Sequence, residues 1–188
     1  MKHIAIFASG KGTNAQAIIE HFSNHPSIRV QLIVSNNPAA GVIKIAHSNK
    51  IISAIVTNDA LQKPDVINRV LDALNIEFIV LAGFLQLIPE FLLQKYPRHI
   101  MNIHPALLPK HGGKGMYGMK VHEAVLAAKD TETGITIHYV NEKYDEGKII
   151  AQKKIMIEPA DNPEMLSKKI HALEHEWYPR IIENEVLS

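Results

Sequence analysis

Cysteine is absent from this chain of 188 residues, which excludes disulfides, thiolate metal sites, iron–sulfur clusters and a cysteine nucleophile. A chain without thiols suits a reducing compartment, and the cytoplasm is the expected location. An excess of either charge is missing too: 20 basic side chains face 19 acidic ones, for a formal charge of +1. Such a balance predicts neither a nucleic acid nor a membrane as partner, so any anion site has to be local. Long apolar runs are also lacking. The opening run at residues 4–8 is broken by Ser9-Gly10 before it reaches signal-peptide length. The run at 78–82 is far too short to span the roughly 30 Å hydrocarbon core of a bilayer. Apolar residues are nonetheless plentiful, at 46% of the chain, and predict a single domain over 1–188 with a sizeable core. No linker, repeat or low-complexity segment divides it.

Short apolar runs at 4–8, 29–35, 52–56 and 78–82 alternate with helix-like segments near 14–22, 39–49 and 65–74. That alternation predicts βαβ units around a parallel sheet. The runs are apolar at nearly every position, as expected where helices cover both faces. The expected fold class is α/β, with an open, doubly wound, mostly parallel sheet. After a fifth strand at 99–102, the prolines and glycines of 105–115 forbid both helix and ladder and predict a long structured loop. A helix near 119–128 follows. Residues 134–140 and 148–157 then read as strands joined by 141–147, giving a late antiparallel portion. Leu166, Ile170, Leu173 and Trp177 recur at helical spacing and predict a C-terminal helix packed on the body through that stripe.

Three segments carry candidate chemistry. Ser9-Gly10-Lys11-Gly12-Thr13-Asn14 follows the first strand and opens a helix, where free amides and the helix dipole favour a phosphate. Gly10, Gly12 and Ala15 satisfy the looser dinucleotide fingerprint, but residues 29–40 contain no Asp or Glu to hold a ribose, which disfavours NAD. A Walker A loop fails because the lysine lies between the glycines. The second segment is Asn102-Ile103-His104-Pro105 at the end of a central strand, where open α/β sheets place their ligands. Strand alternation puts Asn102 and His104 on one side. An amide donor beside an imidazole suits acyl chemistry, one polarising a carbonyl while the other moves a proton. The third is Asp145, in the loop between the late strands; spacing alone does not bring it to His104. A competing pattern, His171-Ala172-Leu173-Glu174-His175, matches an H-x-x-E-H zinc motif. With no further carboxylate off the same helical tail, the expectation is no metal.

Together these segments resemble one family, the folate-dependent glycinamide ribonucleotide formyltransferases of purine biosynthesis, nearly end to end. The anchors are Ser9 to Asn14, Leu81-Ala82-Gly83-Phe84, Asn102-Ile103-His104-Pro105-Ala106-Leu107-Leu108-Pro109, Gly134-Ile135-Thr136-Ile137-His138 leading to Asp145, and Glu174-His175 with Tyr178-Pro179. The resemblance implies a Rossmann-like formyltransferase fold, with Asn102, His104 and Asp145 as catalytic residues. It implies formyl transfer from 10-formyltetrahydrofolate, a cosubstrate, to the amine of glycinamide ribonucleotide, with small molecules as the only partners. Gly10, Lys11, Gly12, Thr13 and Asn14 would hold the ribonucleotide phosphate, with Glu174 near its ribose or phosphate end. The pterin would lie against Leu85, Gln86, Leu87 and Ile88 and against Val140, Asn141 and Glu142, with Asn102 also facing the folate. Lys63 would be the basic contact to the folate tail, and Thr136 and His138 would support Asp145. The assembly expected is a monomer or homodimer.

Some positions depart from the family pattern. Gln86 stands where arginine is usual, Glu146 follows Asp145 where glycine is common, and the 111–119 loop is long and glycine-rich. Methionyl-tRNA formyltransferase and formyltetrahydrofolate hydrolase share the Asn-x-His-Pro core, and the domains they add are not expected here. A nucleotide-binding regulatory module of the same fold would bind ligand without formyl transfer.

Overall fold

The computed structural model describes residues 1–188. In chain order the elements are β1 (Lys2–Phe7), α1 (Thr13–Phe22), β2 (Ile28–Ser35), α2 (Gly41–Ser48), β3 (Ile52–Ile55), α3 (Asn58–Leu61) and α4 (Pro64–Ala73). They continue with β4 (Phe78–Leu81), α5 (Glu90–Lys95), β5 (Ile100–His104), α6 (Met119–Ala127), β6 (Glu132–Tyr139), β7 (Ile149–Met156) and α7 (Pro163–Leu187). The seven strands form one sheet in the order β3-β2-β1-β4-β5-β6-β7. Pairing is parallel from β3 to β5 and antiparallel for β5 with β6 and β6 with β7. The expected α/β class, mostly parallel sheet, late antiparallel portion and C-terminal helix are all present.

Apolar residues on both faces of the inner strands explain the layering. Ile4 and Ile6 of β1 enter one buried cluster under α1, α2 and α7, while Ala5 and Phe7 enter the other, under α4 and α5. Each of the isoleucine and phenylalanine side chains, once buried, contributes about 1.5–3 kcal/mol against exposure. The chain runs from β1 outward to β3, then crosses back to β4 on the other side of β1. The winding therefore reverses between β1 and β4, the switch point where an open sheet leaves a crevice. Two bonds knit the loops there: Ser9 N donates to Gly83 O at 3.0 Å, and Leu85 N to Ser9 Oγ at 3.2 Å.

Several expected boundaries shift. β5 spans Ile100–His104, not 99–102, because β6 keeps pairing as far as His104 opposite Thr136. The helix expected over 39–49 is α2, shortened because Ala40 is extended and Asn37 Oδ1 accepts from Ala39 N at 2.9 Å, holding a turn. The short helices α3 and α5 carry too few turns to show a period in sequence. α7 begins at a capped end, where the Asn162 side chain accepts from Met165 N at 2.8 Å and Pro163 follows at N1. Its buried stripe is Leu166, Ile170, Glu174, Tyr178, Ile182 and Val186, with Leu173 and Trp177 half-buried at its flank. This corrects the expected stripe. The buried Tyr178 hydroxyl donates to Leu81 O at 2.9 Å and lies 3.3 Å from Met101 O, tying the helix to the ends of β4 and β5.

Candidate active site

β5 and β6 form the floor of the site. Asn102 and His104 project to the same side of β5, opposite His138 and Thr136 respectively. Asn102 Nδ2 lies 3.2 Å from His138 Nε2, and His138 Nδ1 lies 2.8 Å from the Tyr139 carbonyl. A carbonyl only accepts, so Nδ1 carries the ring proton and the bare Nε2 accepts from Asn102. The second amide hydrogen of Asn102 makes no bond within the chain.

Asp145 reaches this floor from the loop between β6 and β7. Its Oδ2 lies 3.4 Å from His104 Nδ1 and its Oδ1 3.6 Å from His138 Nε2. The same Oδ2 accepts from Gly113 N at 2.9 Å. Asp145 sits at φ +59, a left-handed conformation that Asp tolerates better than most residues. Gly147 makes the return possible: a Cβ there would stand 1.7 Å from the Tyr139 carbonyl oxygen.

His104 is 3% exposed, and its Nε2 lies 2.8 Å from His111 O, so Nε2 carries a proton. In the neutral ring the Nδ1 lone pair then faces the Asp145 carboxylate, a contact that becomes attractive when a proton lies between them. Burial pushes the His104 pKa below its ordinary value, while Asp145 opposes the shift. Burial also raises that of Asp145, but His138 and His104, which attract the carboxylate whenever a proton lies at the contact, and the Gly113 amide together outweigh it and hold the carboxyl below its usual range. Asp145 is therefore an anion, and His104 a neutral base beside it, at neutral pH.

Thr136 has a different role from the expected one. Its buried hydroxyl donates to Ala106 O at 2.7 Å and accepts from Leu108 N and Gln152 Nε2, both at 2.9 Å. It anchors the 105–109 loop and does not touch Asp145; of the two expected supports, His138 alone reaches the carboxylate.

At the switch point, Gly12 precedes α1 with φ +84, and a Cβ there would stand 2.8 Å from Val42 Cβ. Only glycine fits. The backbone N–H groups of residues 10–15 make no bond within the chain, leaving a cradle of donors at a helix N-terminus. Asn14 Nδ2 donates to Glu174 Oε2 at 3.0 Å, joining this loop to α7. Glu174 is 5% exposed, and burial, only partly opposed by the Asn14 bond, pushes its pKa up to about 7. A groove of about 700 Å³ opens from Thr13 along α1, lined also by Gln16, Glu20, Ile45 and His175; it contains neither Asn102, His104 nor Asp145.

Residues 2–182 match the family model described as formyl transferase. The chain belongs to the formyl transferase family. Within that family it groups with the phosphoribosylglycinamide formyltransferases. It is 41% identical to the chloroplastic phosphoribosylglycinamide formyltransferase of Arabidopsis thaliana, over 96% of this chain and 64% of that protein. It is 39% identical to that of Bacillus subtilis, over 97% and 93%. The chain thus spans less than two thirds of the chloroplastic relative and nearly all of the bacterial one. A solved phosphoribosylglycinamide formyltransferase from Anaplasma phagocytophilum superposes with a TM-score of 0.90 at 30% identity, covering 100% of this chain and 87% of that one.

The remaining candidates sort by position. Leu85 and Leu87 are large apolar side chains left 43% and 39% exposed, while Ile88 is buried in the core. Gln86 and Val140 are half-buried and Glu142 is exposed. Asn141 Oδ1 accepts from Lys143 N at 3.1 Å and shapes the turn. Lys63 is the exposed residue before α4, and its amide is bound to Ala60 O at 3.1 Å. No hydrogen bond joins it to the other folate candidates. The H-x-x-E-H residues do not converge: the His171 and His175 rings stack 6.3 Å apart on the outer face of α7, while Glu174 turns inward to Asn14.

Sequence reasoning missed the loop's own contribution. His111 supplies a carbonyl to His104, and Gly113 an amide to Asp145. A Cβ on Gly112 would stand 2.4 Å from Leu108 Cδ2 and 3.3 Å from Asp145 Cβ. The paired glycines were the available signal, because adjacent glycines mark a close backbone approach.

Proposed function

We propose that residues 1–188 form one formyltransferase domain that moves the formyl group of 10-formyltetrahydrofolate to the amine of glycinamide ribonucleotide, releasing tetrahydrofolate. The observation that carries the reading is the convergence of Asp145 with Asn102 and His104, at 3.4 Å from the imidazole. In the step proposed, the ribonucleotide amine attacks the formyl carbon. A carbon–nitrogen bond forms, and the carbonyl electrons move to oxygen. The unused amide hydrogen of Asn102 donates to that oxyanion, and His104 can donate to it only after its Nδ1 has taken up the amine proton. The new bond leaves the attacking nitrogen positive. Its proton passes to the His104–Asp145 pair, directly or through a water, and then to the folate nitrogen as the old carbon–nitrogen bond breaks. A neutral His104 and an ionised Asp145 are the states this relay needs at its start.

Gly10, Lys11, Gly12, Thr13 and Asn14 are proposed to grip the ribonucleotide phosphate, with Glu174 at the adjoining end of the sugar. The exposed Leu85 and Leu87 suit the face of a pterin, with Ile88 behind them and Gln86, Val140, Asn141, Glu142 and Asn102 at its rim. Lys63 is proposed for the folate tail. The working assembly is a monomer or homodimer, located in the cytoplasm.

Purified protein incubated with both substrates is expected to show the folate absorbance change only when ribonucleotide is present. Turnover without ribonucleotide would instead indicate a hydrolase, and binding without turnover a regulatory module. Asn102→Ala is expected to lower kcat a hundredfold or more at saturating substrates, since an oxyanion donor is worth about 2.7–4 kcal/mol. Near-normal kcat in that variant would overturn the oxyanion role.

A further inference from the structure

One buried polar contact beside the phosphate cradle is half complete. Asn14 gives its amide hydrogen to Glu174 Oε2 at 3.0 Å, but its carbonyl, Oδ1, is buried with no donor in the chain. Buried acceptors are almost always paired. An ionised Glu174 cannot complete the contact, because a carboxylate only accepts; a carboxylic acid can, because a carboxyl and a primary amide can each donate to the other. The same carboxylate, if ionised, would also place a negative charge one residue from the amides proposed to hold a phosphate, where like charges oppose each other.

We propose that Glu174 takes part in ribonucleotide binding as a neutral carboxylic acid, its proton donated to Asn14 Oδ1, so that binding of a phosphate to the first loop is linked to uptake of one proton. The inference rests on the phosphate-site assignment above. It gives Glu174 a positioning role: the protonated pair locks Asn14 at the mouth of the cradle and removes an opposing charge. The upward pKa, about 7, agrees with a group that is poised near neutrality before ligand arrives.

Other titratable groups surround this pair. Tyr178 lies one turn along α7, and burial with the Glu174 charge raises it well above its ordinary range, so it stays neutral. His171 is held low by burial, then by His175 and Lys11. His175, on the same helix, is held low by burial against Glu20 of α1. On α6, His122 is lowered to about 4 by burial, then by His171 and His104. Lys11 is the cation of the loop itself. The histidines are the other groups that a phosphate could protonate, so the test has to separate them from Glu174.

Ribose 5-phosphate serves as the probe because it carries the phosphate and sugar but no amine. Calorimetric titration at pH 8 in two buffers of different ionisation heat counts the protons exchanged. The wild type is expected to take up about one proton per phosphate bound, and its affinity to weaken roughly tenfold per pH unit above 7. Glu174→Gln keeps an amide able to pair with Asn14 but has no proton to gain, and is expected to show neither effect. Binding without uptake, or uptake that persists in Glu174→Gln, overturns the inference alone. Failure of the wild type to bind ribose 5-phosphate at any pH overturns the site assignment and the inference with it. Infrared difference spectra of the wild type give a readout that does not depend on the variant: a protonated-carboxyl band should grow as the probe binds, and its absence would refute the proposal.

Discussion

At the scale of single residues, proton positions in the site follow from which partners can only accept. The His111 and Tyr139 carbonyls fix one proton each on His104 and His138, which turns His104 Nδ1 toward Asp145 and His138 Nε2 toward Asn102. The consequence can be titrated. Burial lowers the His104 pKa and Asp145 raises it, so Asp145→Asn removes the opposing effect. The His104 imidazole signals, followed by NMR against pH, are expected to titrate at a lower pH in that variant than in the wild type. A shift upward would mean that the two groups are not coupled as described. Asn102 and His104 were legible as a candidate pair in the strand-end motif and Asp145 only through the family resemblance, whereas the contributions of residues 111 and 113 were not legible. Those two act through backbone atoms, and a carbonyl or an amide leaves no mark on residue type.

At the scale of elements, the β6–β7 hairpin and the loops it braces decide where the carboxylate stands. Tyr139 N donates to Lys148 O at 2.9 Å, which closes the hairpin just past Gly147. Gly147→Ala would place a Cβ 1.7 Å from a backbone oxygen, which cannot rotate away as a side chain could. The hairpin end has to open, and a stability loss of about 1–3 kcal/mol is expected, measured by urea unfolding, with a fall in kcat because Asp145 moves. An unchanged midpoint would show that the turn has slack. The inner strands β1, β2 and β4 of the parallel half were readable because a strand covered on both faces needs apolar residues at nearly every position. Thr136 was readable as a motif residue, but its partners were not. A buried hydroxyl bonds whichever backbone folds over it, and here that is the Ala106–Leu108 segment. The α7 stripe was misread for a similar reason. Leu173 and Trp177 are the more apolar residues, yet the hydroxyl of Tyr178 and the carboxyl of Glu174 set the rotation of the helix through bonds to other elements.

At the scale of the whole molecule, buried ionisable groups tie stability to pH. His122 is 2% exposed, its Nδ1 has no partner, and burial followed by the nearby His171 and His104 lowers its pKa to about 4. An unfolded histidine titrates near 6.5. Between those values the unfolded chain binds the extra proton, so this group's effect makes stability rise with pH and fall as acid is added through the window. The full loss below pH 4 is on the order of 3 kcal/mol. His122→Leu is expected to flatten the acid limb of stability between pH 6.5 and 4, read from denaturant midpoints across that range; an unchanged slope would assign the acid sensitivity to other groups. What the amino-acid sequence determined by itself was the order of the strands and the longer helices, the α/β class and the family, because periodicity and short motifs are local and survive in one dimension. Tertiary structure alone decided three things: that Asp145 meets His104, that Thr136 serves a loop and not the carboxylate, and that Glu174 faces Asn14 across the sheet end. Each depends on the distance between residues far apart in the chain, which is set by how the sheet and α7 pack and by no local preference of the residues concerned.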